Sequence, residues 1–415
     1  MFDRETWGEI LQSISQNKLR TVLTGFAVFW GIFMLILLLG LGAGLKGGFA
    51  YNFRNTAENS INIEGGETSK PWNGLPSNRR IQLDEDDVEA LRQNIPGLVN
   101  IAGLYWVWRG NTKLQRGAKY GSYSVNGVVS EHQALQKQII LKGRFINEVD
   151  EQQQRKVIVI AEDCRKELFE DEDALDQWVN LNGVPFQVVG LYEFDNAGRH
   201  GMMNRSPVFM PLSAAQQVFN GQRDVDEITF SFTDASAAGA AMAEQRAINT
   251  IARRHNFDPT DERALWTENN VENVGQFNMV FGFINAFIVV IGIGSLVAGI
   301  VGIGNIMLIV VKDRTKEIGI RKAMGATPSN VITQILLEAV FVTLVFGYFG
   351  LALGVLSIEG LSAVIPGGEF FRNPTVDFST AIYSLLAMLV AGALAGYFPA
   401  RRAAAISPIE ALRDE

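Results

Sequence analysis

The stretch Val311–Asn330, "VKDRTKEIGIRKAMGATPSN", holds five Lys/Arg and two acids between two of the most apolar runs in the chain. These residue types make no bond-breaking site. They make charge-assisted contacts, and they can dock a partner. Sinking the five cations to a bilayer centre would cost roughly 12–18 kcal/mol, so the segment must lie outside hydrocarbon. Ile318, Ala323 and Met324 sit among the charges. Gly325 is a natural helix stop, and Thr327-Pro328 reads as the cap and first residue of a following helix. The pattern fits a short rigid helix that presents a docking surface, or a loop that only sets topology.

Other chemistry is sparse. The chain has three histidines, His132, His200 and His255, far apart in sequence, and one cysteine, Cys164. None has metal-ligand spacing, and there is no intrachain disulfide framework. No "GxxxxGK[ST]" phosphate loop occurs, so no nucleotide-hydrolysing site of that type is expected. Nothing marks a catalytic triad, and no enzymatic activity is expected of this chain.

The elements that must position the charged segment are apolar. Thr21–Leu45, Asn273–Val311 and Phe378–Ala400 carry no charge, and Val331–Val364 carries only Glu338 and Glu359. A helix of about 20 apolar residues crosses a ~30 Å hydrocarbon core, so all four runs qualify as spans. The first is too long for a signal peptide and reads as an uncleaved anchor. Eleven Lys/Arg flank the spans on the side of the charged segment and both termini. Only Arg372 lies in the short loop on the other side. Both termini and the segment are therefore expected in the cytoplasm, with residues 46–276 outside.

That outer region has 24 Lys/Arg against 32 Asp/Glu, and no nucleic-acid partner is indicated. Its pattern is α+β, with two subdomains expected. "SINIEGG" and "KVIVIAED" read as strands, and "WVNLNGVPFQVVGLYEF" as a hairpin turning at Asn182-Gly183. "LDEDDVEALRQN" and Asp234–Asn256 read as helices. Gly65–Asn78 and Asp195–Pro207 read as loops, solvated connections or partner contacts.

The expected layout is an amphipathic helix at 1–20, with Trp7, Ile10, Leu11 and Ile14 on one face, and span 1 at 21–45. The outer domain at 46–276 comes next, then span 2 with an outer stalk at 277–311 and the charged loop at 312–330. Span 3 at 331–358, an outer loop at 359–377, span 4 at 378–400 and a tail at 401–415 complete it. The tail holds a capping box at Ser407, Pro408 and Glu410. As one helix, the 39 uncharged residues of the second run would reach about 58 Å; the alternative is an irregular linker near 273–278. Small residues recur every four along the spans: Gly294, Ala298 and Gly302; Ser295 and Gly299; Gly392 and Gly396. Such faces admit close helix contacts, within the chain or between two copies. Glu338 either lines a path or bonds a neighbouring helix.

Several stretches resemble one family. "KDRTKEIGIRKAMGAT…ITQILLEA", followed by Gly347, Gly350 and Gly354, resembles the signature of FtsX-like permeases. "PARRAAAISPIEALRDE" is similar to their C-terminal end and "NKLRTVLTGFAVFWGI" to their first span. "LKGRFI", "VIVIAEDCRKELF", "VNLNGVPFQVVGLYE" and "SPVFMPL" follow the order of a MacB-like periplasmic core domain. The resemblance implies an ABC transporter permease of a bacterial inner membrane, working by mechanotransmission for efflux or export. Lipoprotein release and transport-independent envelope signalling are the alternatives. It implies a separate ATPase subunit that carries ATP and Mg, none being bound by this chain. It also implies a second permease chain, the same or a sister, and a periplasmic adaptor with an outer-membrane channel. It places ATPase coupling on Glu317, Ile318, Gly319, Ile320, Arg321, Lys322, Ala323, Met324, Gly325 and Ala326.

Overall fold

The computed structural model describes residues 18–53, 57–107, 112–193, 206–364, 371–376 and 378–407. The expected N-terminal amphipathic helix, most of the loop at 195–207 and most of the C-terminal capping box lie outside these residues. The chain divides into two compact units. One comprises Met1–Phe49 with Val280–Glu415, the other Ala50–Met279.

The first unit holds four helices long and apolar enough to cross a membrane, among the described residues. Span 1 is Lys18–Phe53, span 2 Asn270–Asp313, span 3 Pro328–Val364 and span 4 Phe378–Ala405. The helices outrun the uncharged stretches because flanking polar residues continue the same backbone hydrogen bonding. Span 2 is unbroken from Asn270, so there is no irregular linker at 273–278. Its core joins Val28, Ile32 and Ile36 of span 1 to Ile303 and Met307 of span 2, Ile335 and Ala339 of span 3, and Met388 and Ala395 of span 4.

The second unit is an α/β domain with fourteen strands among its described residues. They are β1 Ser60–Gly65, β2 Leu83–Asp84, β3 Leu98–Trp106, β4 Lys113–Arg116, β5 Lys119–Ser122, β6 Val125–Val128 and β7 Ile140–Gly143. There follow β8 Val157–Ala161, β9 Trp178–Leu181, β10 Val184–Tyr192, β11 Val208–Pro211, β12 Asp224–Val225, β13 Glu227–Phe232 and β14 Leu265–Asn269. Twelve form one sheet in the order β14-β1-β13-β3-β6-β11-β8-β10-β9-β4-β5, with β7 beside β10.

Two lobes share that sheet. β1, helix Glu85–Asn94 and β3, then β13, helix Ala237–His255 and β14, make two βα-β units interleaved as 4-1-3-2. This is the split βαβ arrangement. The segment between β3 and β13 supplies the second lobe. Each lobe has its own core, one around Ile61, Ile101, Phe230 and Ile251, the other around Leu114, Ile160, Phe169 and Phe186.

Local sequence explains the pieces. β8 is buried on both faces, Ile158 and Ile160 toward one core and Val157 and Val159 toward another, which is why it reads as a continuous apolar run. The β9–β10 hairpin turns on Asn182 (φ 50°) and Gly183 (φ 93°), the left-handed pair a tight hairpin requires. Helix Glu85–Asn94 starts on a capping box in which Asp84 and Asp87 each accept the other's backbone N–H at 2.9 Å. Asp87 is fully buried and accepts hydrogen bonds from Arg254 Nε at 2.6 Å, with His255 Nε2 at 2.8 Å. Burial pushes its pKa up, but His255, Arg254 and the Asp84 N–H outweigh that and hold it below the usual carboxylate range.

Candidate functional site

Span 2 ends at Asp313, and after the single residue Arg314 a second helix, Thr315–Ala323, begins. Thr315 Oγ1 donates back to the carbonyls of Val311 at 3.2 Å and Lys312 at 2.8 Å, which fixes the joint. The far end is closed by backbone. Gly325, at φ +104°, donates its N–H to the Lys322 carbonyl at 3.1 Å, and Ala326 donates to Arg321 at 3.0 Å. These two bonds complete a Schellman motif, and they need a residue tolerant of the left-handed region at Gly325. Pro328 then opens span 3, where a missing N–H costs nothing.

The inward face of the short helix is fastened to three elements. Ile318 packs on the bundle core and Gly319 is buried against it. Arg321 donates to Gln334 Oε1 of span 3 at 2.9 Å and to Glu317 Oε1 at 2.7 Å. Lys322 Nζ donates to the carbonyls of Ala404 at 2.7 Å and Ile406 at 2.6 Å, at the end of span 4. At the joint, Arg314 lies 3.5 Å from Glu338, which is buried in span 3. Glu338 thus bonds a neighbouring element. Carbonyls at the last turn of a helix are short of partners, so Lys322 satisfies span 4 while tying the short helix to it.

The outward face is different. Lys316, Glu317, Ile320, Ala323, Met324 and Gly325 are exposed. Ile320 and Met324, one turn apart, are 47% and 77% exposed. The ten residues expected to couple therefore divide into an anchored side and a presented side. Arg314, Gln334, Ala404 and Ile406 complete the anchoring and were not singled out from sequence. Their contacts cross from 13 to 84 residues of chain, and no local signal reveals them.

The small-residue stripes also separate. A Cβ on Gly299 would lie 3.3 Å from Val28, and one on Gly31 would lie 3.0 Å from Ser295, so that stripe packs on span 1. Gly392 and Gly396 pack on span 3, against Thr343 and Ala339. Gly294 and Gly302 have nothing within 4 Å of a Cβ, and Ala298 is exposed beside them.

The titratable residues noted for metal or catalytic chemistry have structural surroundings. His132 stacks on Phe145 and meets Phe209 at a tilt, His255 meets Asp87, and Cys164 is buried. His200 lies outside the described residues. Among the described residues no cluster of three or more His, Cys, Asp or Glu is arranged to hold a metal ion.

Comparison with known proteins gives this architecture a family. Residues 21–248 match the model of the MacB-like periplasmic core domain, and residues 274–408 match that of the FtsX-like permease C-terminal region. The macrolide export ATP-binding/permease protein MacB of Wolinella succinogenes is 29% identical over 409 residues, covering 97% of this chain and 60% of that protein. The pyoverdine export ATP-binding/permease protein PvdT of Pseudomonas savastanoi pv. phaseolicola is 31% identical over 432 residues, covering 99% and 61%. The chain thus spans about six-tenths of the length of these curated relatives. The crystal structure of the periplasmic region of MacB from Actinobacillus actinomycetemcomitans is 19% identical, with a TM-score of 0.43, over 55% of this chain and 96% of that one. With both family models together accounting for nearly all of the described residues, this chain belongs to the MacB-like, FtsX-like family of ABC transporter permeases.

Proposed function

We propose that this chain is the permease subunit of an ABC transporter that exports its substrate by mechanotransmission. ATP, with magnesium, is hydrolysed on a partner ATPase that rests on the outward face of helix Thr315–Ala323. Motion of that helix passes through Arg321, Lys322 and the Arg314–Glu338 pair into spans 3 and 4, and along span 2 toward the domain between spans 1 and 2. A second permease chain pairs with this one, and an adaptor with an outer-membrane channel continues the route in a bacterial envelope. The termini and the short helix face the cytoplasm in this reading.

The carrying observation is the two-sidedness of the short helix. It is capped at its far end and fastened to spans 3 and 4, yet it presents Ile320 and Met324 to its surroundings. A stiff piece with an exposed apolar face suits a docking role better than a topology-setting loop, which needs only its charges. The curated relatives are exporters by their printed names, which favours export over lipoprotein release or signalling.

The test separates docking from transmission. Ile320→Glu with Met324→Glu is expected to remove the copurifying ATPase without affecting membrane insertion. Lys322→Met is expected to keep the ATPase bound but abolish the ATP-dependent change in hydrogen exchange across residues 60–269. Normal behaviour of both variants would remove the coupling assignment.

A further inference from the structure

The domain between spans 1 and 2 carries an open cleft of about 700 Å³, lined by Trp72, Asn94, Arg246, Asn249, Arg253 and Asn256 among others. No carboxylate lines it. Arg246 and Arg253 stand two turns apart on helix Ala237–His255, both exposed. Neither forms an ion pair with a described carboxylate; Arg253 donates only to the Asn249 carbonyl, at 3.2 Å. This is a local cationic site in a region where acids outnumber bases.

One wall of the cleft is a preformed hairpin from the glycine- and proline-rich stretch at 65–78. Trp72 and Leu75 exchange both backbone hydrogen bonds, at 3.0 and 2.8 Å, around Asn73 (φ 46°) and Gly74 (φ 81°). Asp261 pins its base by accepting from Ser69 N–H and Oγ, both at 2.6 Å, and Lys70 N–H at 2.9 Å. Asn73 Nδ2 donates to Asn256 Oδ1 at 2.9 Å, fastening the tip to the cleft floor. The wall is stiff, and 37% of Trp72 is still exposed at its tip.

We infer that this cleft is a docking site for an acidic, extended segment of a protein partner, with a carboxylate on Arg246 or Arg253 and an apolar side chain against Trp72. Three features carry the choice of occupant. Guanidinium groups that meet no described carboxylate of their own chain recognise carboxylates through paired N–H donors. Exposed Trp and Arg over a rigid frame are the residue types that dominate protein interfaces, and a preordered wall reduces the entropy lost on docking. The cleft is open along one side, whereas a small-molecule site encloses most of its ligand. The inference does not depend on coupling to an ATPase.

The test uses the full chain in zwitterionic-lipid nanodiscs and a dye-labelled dodecapeptide alternating Glu and Leu, followed by fluorescence anisotropy. Binding in the micromolar range is expected, weakened about tenfold or more by Arg246→Glu with Arg253→Glu and about fivefold by Trp72→Ala. Gln in place of every Glu in the peptide should weaken binding as much as the arginine reversal. Equal affinity of the Gln peptide, indifference to the arginine reversal, or no binding below about 1 mM overturns the proposal. Full competition by free citrate together with indifference to Trp72→Ala marks a small-anion site, and this also overturns it. ATPase plays no part in this assay, so its failure leaves the coupling reading untouched, and the reverse holds too.

Discussion

Helices pack differently in the two units. In the α/β domain, helix Ala237–His255 lays Ala240, Ala243, Ala247 and Ile251 against a sheet rich in Ile and Phe. Small helix residues there make room for large strand residues, and water drives the burial. In the membrane unit glycines let neighbouring helices approach, against backbone at Gly350 and against side chains at Gly354, Gly392 and Gly396. A Cβ on Gly350 would lie 2.5 Å from the Phe29 carbonyl oxygen, and one on Gly354 2.9 Å from Ile36. Lipid tails are as apolar as leucine, so helices there gain little from burial. They gain from close approach and from polar contacts that hydrocarbon cannot replace. Among the described residues, the Arg314–Glu338 ion pair and the Lys322–carbonyl bonds lie at the bundle end near helix Thr315–Ala323, which they fasten to spans 3 and 4.

The largest expected effect tests whether the water-facing domain relies on a single buried charge cluster. Asp87→Asn should destabilise that domain by about 2 kcal/mol, because it removes the charge of a buried carboxylate that accepts from Arg254 and meets His255; urea unfolding followed by near-UV circular dichroism reads it. The native pKa of Asp87 is depressed, so its contribution is complete above the ordinary carboxylate value of about 3.9 and is lost as pH falls through the native value. The variant should therefore lose less stability than the parent on acidification below about pH 4.

Comparable in size is the bundle. Gly350→Leu should destabilise the detergent-solubilised chain by about 2 kcal/mol, because the new side chain meets backbone that cannot move aside. Thermal aggregation of the two proteins side by side measures it. Gly294→Leu should fall within about 0.5 kcal/mol of the parent, since no described residue lies within 4 Å of a Cβ there. Equal effects at the two glycines would remove the distinction between a packed and an open stripe.

A smaller effect returns to the α/β domain. Burial drives the pKa of Glu151 up to about 7, partly opposed by the Ser130 N–H and assisted by Glu131, Glu148 and Asp150. A carboxylic acid with a raised native pKa costs stability as pH rises from its unfolded value through the native one. Glu151→Gln keeps the acceptor for Ser130 and should stabilise the domain by about 1 kcal/mol at pH 8, after discounting for solvent screening, and by nothing at pH 4. Denaturation curves at the two pH values check the sign. Asp87 and Glu151 thus sit in different lobes and respond to pH in opposite directions.

Much of this was legible from local pattern. The four apolar runs, the two-sided strand at Val157–Ala161, the Asn182-Gly183 hairpin and the acid-started helix at Glu85–Asn94 all follow from spacing and capping. Gly325 and Pro328 likewise predict where helix Thr315–Ala323 stops and span 3 starts. The single sheet running through both lobes was not legible. Its joins, such as β6 beside β11 and β1 beside β14, bring together strands separated by long stretches of chain. The partners of Lys322 are backbone carbonyls, which every residue carries, so sequence holds no sign of them. Arg314 and Glu338 lie on different elements, and the sequence left Glu338 open between a path and a helix contact. The choice of Ile318 for the inside and Ile320 for the outside is set by the turn of the short helix, once Arg321 and Lys322 fix its rotation.

The outward face of helix Thr315–Ala323 is the proposed seat of the ATPase. A photo-crosslinking amino acid at Met324, compared with one at Phe283 on the exposed apolar face of span 2, tests it in native membranes. A covalent adduct with a nucleotide-binding subunit is expected from Met324 and none from Phe283. A complex that hydrolyses ATP yet gives no such adduct at Met324 would contradict that assignment.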